Sequence, residues 1–306
     1  MNVPVIQAEN LARDFGRFRA LDGLLLNVPA GHVVAVLGPN GAGKTTLFRL
    51  LCGLIEPTEG DATLLGCNVR AMPAAVSARV ACVGEGHDPP HWATLRLLLG
   101  LQSEASARFD RSAAEGLLAE HELSLRRRFG TLSKGQKRWV LATLALASGA
   151  DVLIMDEPAD GLDTAARRSL YDHLRQYVND RQATALIATH LIGDIERVAD
   201  DMAVIRRGQL VLHAPLEDLR EQVREIEWPA GQAAPDFGPG LKLLGRRTEH
   251  DVHILWVRCK EALESALPSQ IDPRAHVRPV NLETLYLVLT DSKSLVASQE
   301  EVSSCV

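Results

Sequence analysis

The sequence predicts an α/β fold with a mainly parallel sheet at its core. The prediction rests on three short apolar runs, His32–Leu37, Val152–Met155 and Thr184–Ala188. Each run is short enough to be a strand, and continuous apolar character is typical of strands that are covered on both faces. Helix-like segments separate the runs, and strands that alternate with helices usually pair in parallel.

Further segments fill in the predicted domain. Lys44–Leu54 follows the first apolar run and Thr164–Val178 follows the second, and both are predicted to be helices. Val5–Glu9 and Leu24–Val28 have a β-like pattern and precede the first helix. These two segments indicate an added antiparallel β subdomain.

The composition changes near residue 228. Trp228–Gly240 contains three prolines and three glycines, which indicates a linker or a long loop. We therefore predict a main domain of residues 1–227 and a small C-terminal α+β appendage of residues 228–306. The elements predicted in the appendage are a strand at Val252–Val257 and short helices at Glu261–Leu267 and Leu282–Leu289.

The composition is that of a folded protein with a slight acidic excess. The 306 residues are 46% apolar and 24% charged, which provides enough apolar surface for a packed core and excludes disorder as the dominant state. The net charge is −6. Nucleic-acid-binding domains are usually basic, so no nucleic-acid partner is expected.

The sequence also points to a cytoplasmic protein. The longest apolar stretch, Val140–Met155, is interrupted by polar residues and falls short of the roughly 20 residues that span a bilayer. Met1–Asn10 lacks a basic segment followed by an apolar one, so no secretory leader is expected. The five cysteines form no CxxC pair and are predicted to be buried or idle thiols.

A glycine-rich segment after the first strand has the pattern of a phosphate-binding loop. Gly38–Thr45 reads GPNGAGKT and fits GxxxxGK(S/T) in the strand–loop–helix context that this motif requires. Glycines let backbone N–H groups curl around a polyphosphate, and the helix N-terminus adds partial positive charge. Lys44 can reach the β- and γ-phosphates, and the Thr45 hydroxyl can ligate Mg²⁺. The expected nucleotide-binding residues are Gly38, Pro39, Asn40, Gly41, Ala42, Gly43, Lys44, Thr45 and Thr46.

Two carboxylates end the second apolar run. Asp156 and Glu157 follow Val152–Met155 and are expected at the carboxyl edge of the sheet, where ligands of open α/β sheets bind. Asp156 would hold Mg²⁺ directly or through water. Glu157 would act as general base toward an attacking water. Taken alone, the pair is equally compatible with a solvated acidic turn.

Together with four further segments, these two motifs resemble the ATP-binding cassette (ABC) family. The resemblance covers residues 4–222 and implies a P-loop ATPase cassette that uses ATP and Mg²⁺, with an antiparallel β subdomain and a helical subdomain. Each segment matches one family motif. These are Phe15 (the aromatic that stacks on adenine), Gly38–Thr45 (Walker A), Thr131–Gln136 (the signature loop), Val152–Glu157 (Walker B with its catalytic glutamate), Gly161–Asp163 (the D-loop) and Thr189–His190 (the switch histidine).

The signature segment also has a physical interpretation of its own. Ser133 and Gly135 stand at the start of an amphipathic helix, Lys134–Ala147, so a hydroxyl and free N–H groups form an anion site without an anion nearby in sequence. In the family this site binds the γ-phosphate held by a second subunit. The resemblance therefore implies two cassettes around two ATPs, as a homodimer or with a paired homologue. The binding residues implied at this seam are Ser133, Gly135, Gln136 and Asp163.

Two residues depart from the family pattern. Glu85 stands where the Q-loop glutamine is usual, and its carboxylate can still ligate Mg²⁺. Lys134 replaces the first glycine of the signature pair, and it lies near the partner's nucleotide or, as is more usual for lysine, points to solvent. The predicted metal ligands are Thr45, Asp156 and Glu85, and the predicted catalytic residues are Glu157 and His190, where the histidine hydrogen-bonds the γ-phosphate or the attacking water.

The family couples such cassettes to membrane-spanning permease subunits, which dock a short helix beside the Q-loop. Pro89–Leu99, with Trp92, lies in that region and either forms this contact or packs inside the helical subdomain. The ending Asn281–Thr290, the dipeptide Phe109–Asp110 and the LSKGQ signature are similar to those of ATPases of ABC-2-type exporters. This implies an ATPase at the cytoplasmic face of a membrane that powers export through separate permease chains.

Two other functions stay open on the sequence. A soluble ABC ATPase acting on a nucleic-acid or ribosomal target usually carries two cassettes or a long coiled-coil insertion, and neither is visible here. A non-catalytic nucleotide-binding regulator fits the departures at Glu85 and Lys134. The intact Lys44, Asp156 and Glu157 weigh against that regulator.

Overall fold

The computed structural model describes residues 4–84, 86, 88–229, 241–249, 252–259 and 276–291. The chain divides into two compact units, Met1–Leu210 and Val211–Val306. In chain order the described strands and α-helices are β1 (Ile6–Phe15), β2 (Phe18–Val28), β3 (Val33–Leu37), α1 (Lys44–Leu51), β4 (Glu59–Leu64), β5 (Cys67–Asn68), α2 (Ala74–Ser77), β6 (Val80–Val83), α3 (Leu95–Ala105), α4 (Arg111–Glu120), α5 (Lys134–Leu146), β7 (Val152–Asp156), α6 (Thr164–Arg181), β8 (Thr184–Ala188), α7 (Ile192–Val198), β9 (Asp201–Arg206), β10 (Gln209–Pro215), α8 (Leu216–Gln222), β11 (Val223–Pro229), β12 (Leu241–Glu249), β13 (Val252–Cys259), β14 (His276–Pro279) and α9 (Leu282–Thr290).

A six-stranded sheet carries the functional motifs. Its strand order is β10-β9-β3-β8-β7-β6, and the five strands from β9 to β6 pair in parallel. All residues of β3, β7 and β8 are buried because apolar clusters cover both faces of the sheet. On β7, for example, Ile154 packs into one cluster and Met155 into the other. The predicted parallel core with three buried strands is confirmed.

The predicted antiparallel subdomain is a four-stranded sheet of order β2-β1-β4-β5. Its first two strands are longer than the segments Val5–Glu9 and Leu24–Val28 that the pattern predicts, and they meet in a tight turn where Phe15 pairs with Phe18. Register shifts between Ala8 and Leu11 break the alternation of buried and exposed side chains. Such bulges hide the continuation of a strand from pattern analysis.

Two helix ends differ from the prediction. α1 ends at Leu51 rather than Leu54. Gly53 has a positive φ of 68°, and its N–H donates to the carbonyl of Leu50, which closes the helix. α6 continues to Arg181 and ends where Gln182 adopts a left-handed conformation with φ of 52°. In both places a residue with positive φ closes the helix; Gly53 is the residue type that favours this conformation, whereas Gln182 is not.

The helices α3, α4 and α5 form the predicted helical subdomain. Trp139 and Phe129 are buried at its centre, and Asp110 caps α4 by accepting a hydrogen bond from the Ala113 N–H. The segment Pro89–Leu99 is partly packed in this subdomain and partly exposed. Its leucines at 95, 98 and 99 are buried, whereas Trp92 is 68% exposed and Leu97 is 38% exposed.

The second unit contains a four-stranded sheet of order β12-β13-β11-β14 and helix α9. Trp228 and Pro229 belong to β11 and not to a linker, since this strand pairs with β13 and β14. Within this sheet the buried Glu225 accepts hydrogen bonds from Trp256 (2.8 Å) and Arg278 (2.7 Å), which satisfy its charge. The predicted helix at Leu282–Leu289 is confirmed as α9, whereas residues 230–240 and the predicted helix Glu261–Leu267 lie outside the described residues.

The cysteine prediction is wrong for one pair. Cys52 and Cys82 form a disulfide between the end of α1 and the edge strand β6, although 30 residues separate them in sequence. Cys67 and Cys259 are free thiols, and Cys305 lies outside the described residues. Within the described part of the chain, no helix combines the length and apolar character needed to cross a bilayer.

Candidate nucleotide-binding site

The loop between β3 and α1 forms a close cradle of backbone. A Cβ at Gly38 would lie 2.3 Å from the carbonyl oxygen of Ile205, and one at Gly43 would lie 2.6 Å from the carbonyl oxygen of Ala20. Gly43 also has a φ of 108°, a conformation that residues with a Cβ rarely adopt. These glycines are therefore required by the neighbouring backbone, as the motif predicts.

Lys44 lies buried at the start of α1. Its ammonium Nζ donates hydrogen bonds to the carbonyl oxygens of Gly38 (2.6 Å) and Pro39 (3.3 Å). Burial lowers the pKa of Lys44, and the negative charges of Glu157 and Asp156 oppose that shift. A buried ammonium in this position gains from an anion that enters the loop.

Thr45 and Asp156 meet at the carboxyl end of β7. The Thr45 hydroxyl donates to Asp156 Oδ2 over 2.6 Å, and Asp156 is buried. A hydroxyl and a carboxylate are the oxygen ligands that Mg²⁺ prefers, so this pair fits the ion. No group of three or more His, Cys, Asp and Glu in the described part of the chain is arranged to hold a metal. Phosphate and water oxygens would therefore supply the other ligands, and Glu85 lies outside the described residues.

The two predicted catalytic residues are in contact. Glu157 Oε2 lies 2.9 Å from His190 Nδ1, and the Glu157 N–H donates to the carbonyl of Ala188 on β8. Glu157 has a φ of 49°, which costs about 1–2 kcal/mol for a residue with a Cβ. Such strain concentrates at functional sites.

The loop residues from Asn40 to Thr46 line one cleft of about 350 Å³ together with Asp156 and Glu157, whereas His190 is not among its described lining residues. Phe18 is part of its wall, whereas Phe15 is not among the lining residues described. Phe15 is 45% exposed and lies under the guanidinium of Arg13, 4.8 Å from the ring centroid. Phe18 was not among the predicted binding residues, although a second aromatic residue across a two-residue turn from Phe15 was a visible signal. The lining residues are Phe18, Ala20, Asn40, Gly41, Ala42, Gly43, Lys44, Thr45, Thr46, Asp156 and Glu157.

The signature loop opens helix α5 with a capping box. Ser133 Oγ accepts from the N–H of Gln136, and the Gln136 side chain accepts from the N–H of Ser133. Gly135 packs against the D-loop so closely that a Cβ there would lie 2.4 Å from the carbonyl oxygen of Gly161. The Asp163 side chain caps α6 by accepting from the Ala166 N–H.

The signature loop and the D-loop line a second cleft, of about 260 Å³. Its described wall includes Ser133, Gly135, Gln136 and Asp163, and it shares no described residue with the cleft at Lys44. The predicted residues that line a cleft are therefore divided between two separate places on one chain. Neither cleft contains the full set of predicted nucleotide contacts.

A parallel sheet, a glycine cradle with a buried lysine, and a carboxylate pair at the sheet edge define a P-loop nucleotide-binding domain. The signature loop at the start of α5 assigns this domain to the ATP-binding cassette class. The sequence profile described as ABC transporter matches residues 21–160. The chain belongs to the ABC transporter family, and it is an ATP-binding, ATP-hydrolysing subunit.

Known proteins of this family are similar over most of the chain. The Nod factor export ATP-binding protein I of Burkholderia lata is 33% identical over 302 residues, which cover 95% of this chain and 98% of the relative. The daunorubicin/doxorubicin resistance ATP-binding protein DrrA of Streptomyces peucetius is 33% identical over 227 residues, or 71% and 67% of the two chains. A solved structure of the ATP binding subunit of an ABC transporter superposes with a TM-score of 0.65 at 26% identity, over 71% of this chain and 92% of that one.

Proposed function

We propose that this chain is the ATPase subunit of an ABC-2-type exporter. In this proposal two copies close around two ATPs and power export through separate permease chains at the cytoplasmic face of a membrane. The printed names of two relatives, which refer to Nod factor export and to daunorubicin/doxorubicin resistance, support the export direction. The similarity to the first of these relatives extends through the C-terminal unit, since it covers 95% of the chain.

The separation of the two clefts is the observation that carries the two-copy arrangement. The cleft at Lys44 supplies a phosphate cradle, and the cleft at Ser133 supplies N–H groups at a positive helix end. Within one chain they share no described lining residue, so one chain cannot enclose a triphosphate from both sides. A second copy related by a two-fold axis brings each Ser133 cleft to the other copy's Lys44.

The residues around the cradle suit phosphoryl transfer to water. Lys44 and the loop N–H groups would hold the phosphates, and Thr45 and Asp156 would hold Mg²⁺, which when bound supplies positive charge at the β- and γ-phosphate oxygens. Glu157 would accept the proton of the attacking water. In the tautomer with the proton on Nδ1, His190 donates to Glu157 Oε2 and orients the carboxylate.

Two aromatic rings are available for the adenine. Phe15 and Phe18 face each other across the β1–β2 turn and are 45% and 60% exposed. Exposed rings beside a phosphate cradle provide a stacking surface for a base. We assign this role to the pair, because Phe18 lines the cleft and Phe15 is its cross-strand neighbour.

A groove beside β6 supports the permease contact. It has a volume of about 370 Å³, and its wall is formed by β6, α3, α5 and the residues that flank them, among them Val83, Gly84 and Pro89. Trp92 and Leu97 follow Pro89 in the chain, and their apolar side chains are exposed and not packed in the core. We propose that this face receives a short helix of the permease.

The substitution Glu157→Gln tests the site and the two-copy arrangement together. It removes the base but keeps the cradle, so turnover should be lost while ATP is retained and a stable dimer accumulates in light scattering. Glu115→Gln, at an exposed position of α4, is the matched control and should behave like the parent protein. Normal hydrolysis by Glu157→Gln would refute the base assignment. A protein that binds ATP but stays monomeric would refute the pairing.

The permease assignment has its own test. The chain should move to the membrane fraction when it is co-expressed with its permease, a polytopic membrane protein, and it should remain in the supernatant without that protein. The double substitution Trp92→Ala with Leu97→Ala should reduce this recruitment, because it removes exposed apolar surface. Co-purification with ribosomes instead would favour the soluble ATPase alternative.

A further inference from the structure

An ion pair joins the two loops that line the second cleft. Lys134 Nζ lies 2.7 Å from Asp160 Oδ2, and Lys134 occupies the first position of α5, directly after the cap Ser133. The aliphatic part of the lysine crosses Gly161, since a Cβ at Gly161 would lie 3.2 Å from Lys134 Cγ and Cδ. The lysine that departs from the family pattern is therefore paired within its own chain.

Backbone contacts connect the ion pair with the turn that carries the predicted base Glu157. The backbones of Gly135 and Gly161 approach closely, since a Cβ at Gly135 would lie 2.4 Å from the carbonyl oxygen of Gly161, whereas a Cβ at Gly161 would lie in ordinary contact with Gly135 N, at 3.5 Å. The N–H of Asp160 donates to the carbonyl of Glu157 over 3.2 Å, in the turn that holds Glu157 at positive φ. A displacement of Lys134 would thus move Asp160 and the turn that carries Glu157.

We propose that Lys134 and Asp160 form a positioning pair that couples the signature loop to Glu157 of the same chain. When the signature loop closes on the nucleotide of the second copy, the pair transmits that closure through the D-loop turn. The side chain of Lys134 acts through Asp160 and does not need to touch a phosphate. This inference rests on the proposed two-copy arrangement.

The exposure of the pair sets the size of the effect. The Lys134 side chain is 69% exposed and that of Asp160 is 34% exposed, so solvent screens their attraction in a single copy. Loss of an exposed pair of this kind corresponds to about a two- to fivefold change in an equilibrium or a rate. Because the two side chains act as one unit, losing both should cost no more than losing one.

Three full-length variants measure this coupling: Lys134→Met, Asp160→Asn and the double variant. Methionine keeps the apolar stem over Gly161, and asparagine keeps the size of Asp160. Each single variant should lower kcat about two- to fivefold with unchanged ATP affinity in the single copy, and the double variant should match the singles. Lys134→Arg, which retains the charge, should restore kcat.

Controls separate positioning from general stability. The pair Arg111–Glu115 on α4 has similar exposure, 43% and 42%, and its double alanine variant should leave kcat unchanged. All variants should melt within about 2 °C of the parent protein, because exposed pairs contribute little to folding. Unchanged kcat in both single variants, or losses that simply add in the double variant, would overturn the inference. If Glu157→Gln binds ATP but never dimerises, the two-copy proposal falls and this inference falls with it.

Discussion

The role of the glycines in the phosphate cradle can be tested by replacing Gly41 or Gly43 with alanine, one at a time. Gly43 has a φ of 108°, and an added Cβ would lie 2.6 Å from the carbonyl oxygen of Ala20. Gly41 also has a positive φ, 78°, but a Cβ there meets no described atom within 4 Å. Left-handed backbone costs about 1–2 kcal/mol for an L-residue in both places. Only Gly43→Ala adds an overlap, which typically costs a further ~1–3 kcal/mol.

We therefore expect Gly41→Ala to lower the free energy of unfolding by about 1–2 kcal/mol and Gly43→Ala by about 2–5 kcal/mol. Urea denaturation followed by circular dichroism gives both values. Titration with a fluorescent ATP analogue should then show a larger loss of affinity for Gly43→Ala, since relief of the overlap with Ala20 distorts the loop. Equal unfolding free energies for the two variants would refute the reasoning that neighbouring backbone fixes Gly43.

Two further predictions concern charged residues of the same unit. Lys44→Ala should lower ATP affinity about tenfold to a hundredfold, the range expected when a hydrogen-bonding cation is lost. The control Lys242→Ala, at an exposed position of β12, should leave the affinity unchanged, and unchanged binding by Lys44→Ala in a titration would contradict the assignment. For Asp151, burial alone would raise the pKa, but its bonds to Arg108 and Arg79 outweigh burial and lower the pKa of the carboxyl. Asp151→Asn should thus lower the free energy of unfolding at pH 7, and the difference should shrink as the pH falls below about 4, which unfolding curves across pH would measure.

The arrangement of the proposed phosphate-binding loop and the carboxylate pair could be predicted because the signals for it are local in sequence. The loop Gly38–Thr45 needs glycines at fixed spacing between a strand and a helix, and a buried strand that ends in Asp156 and Glu157 must present them at the sheet edge. The signature residues were implied by the resemblance to the ABC family, and the start of a helix with a hydroxyl cap at Ser133 is consistent with an anion site there. Each of these signals is contained in a few consecutive residues.

The remaining features depend on contacts between distant segments. The pairing of Lys134 with Asp160 arises only when the signature loop and the D-loop meet, and Phe18 enters the cleft only because β2 returns beside β1. The disulfide of Cys52 with Cys82 was missed for the same reason, since α1 and β6 are separated by β4 and β5 in the chain. No periodicity or spacing rule reports such neighbours.

The separation of the two clefts bears on how damaged copies behave in a mixed population. Under the proposed pairing, a chain with a defective Lys44 still supplies an intact Ser133 surface to the nucleotide of its partner. A chain with a defective Ser133 still has an intact cradle for its own nucleotide. A pair made from these two chains contains one complete composite pocket and one pocket broken on both sides. Co-expression of a Lys44 variant with a Ser133 variant should therefore restore part of the activity. Two variants that are both defective at Lys44, or both at Ser133, should not restore it.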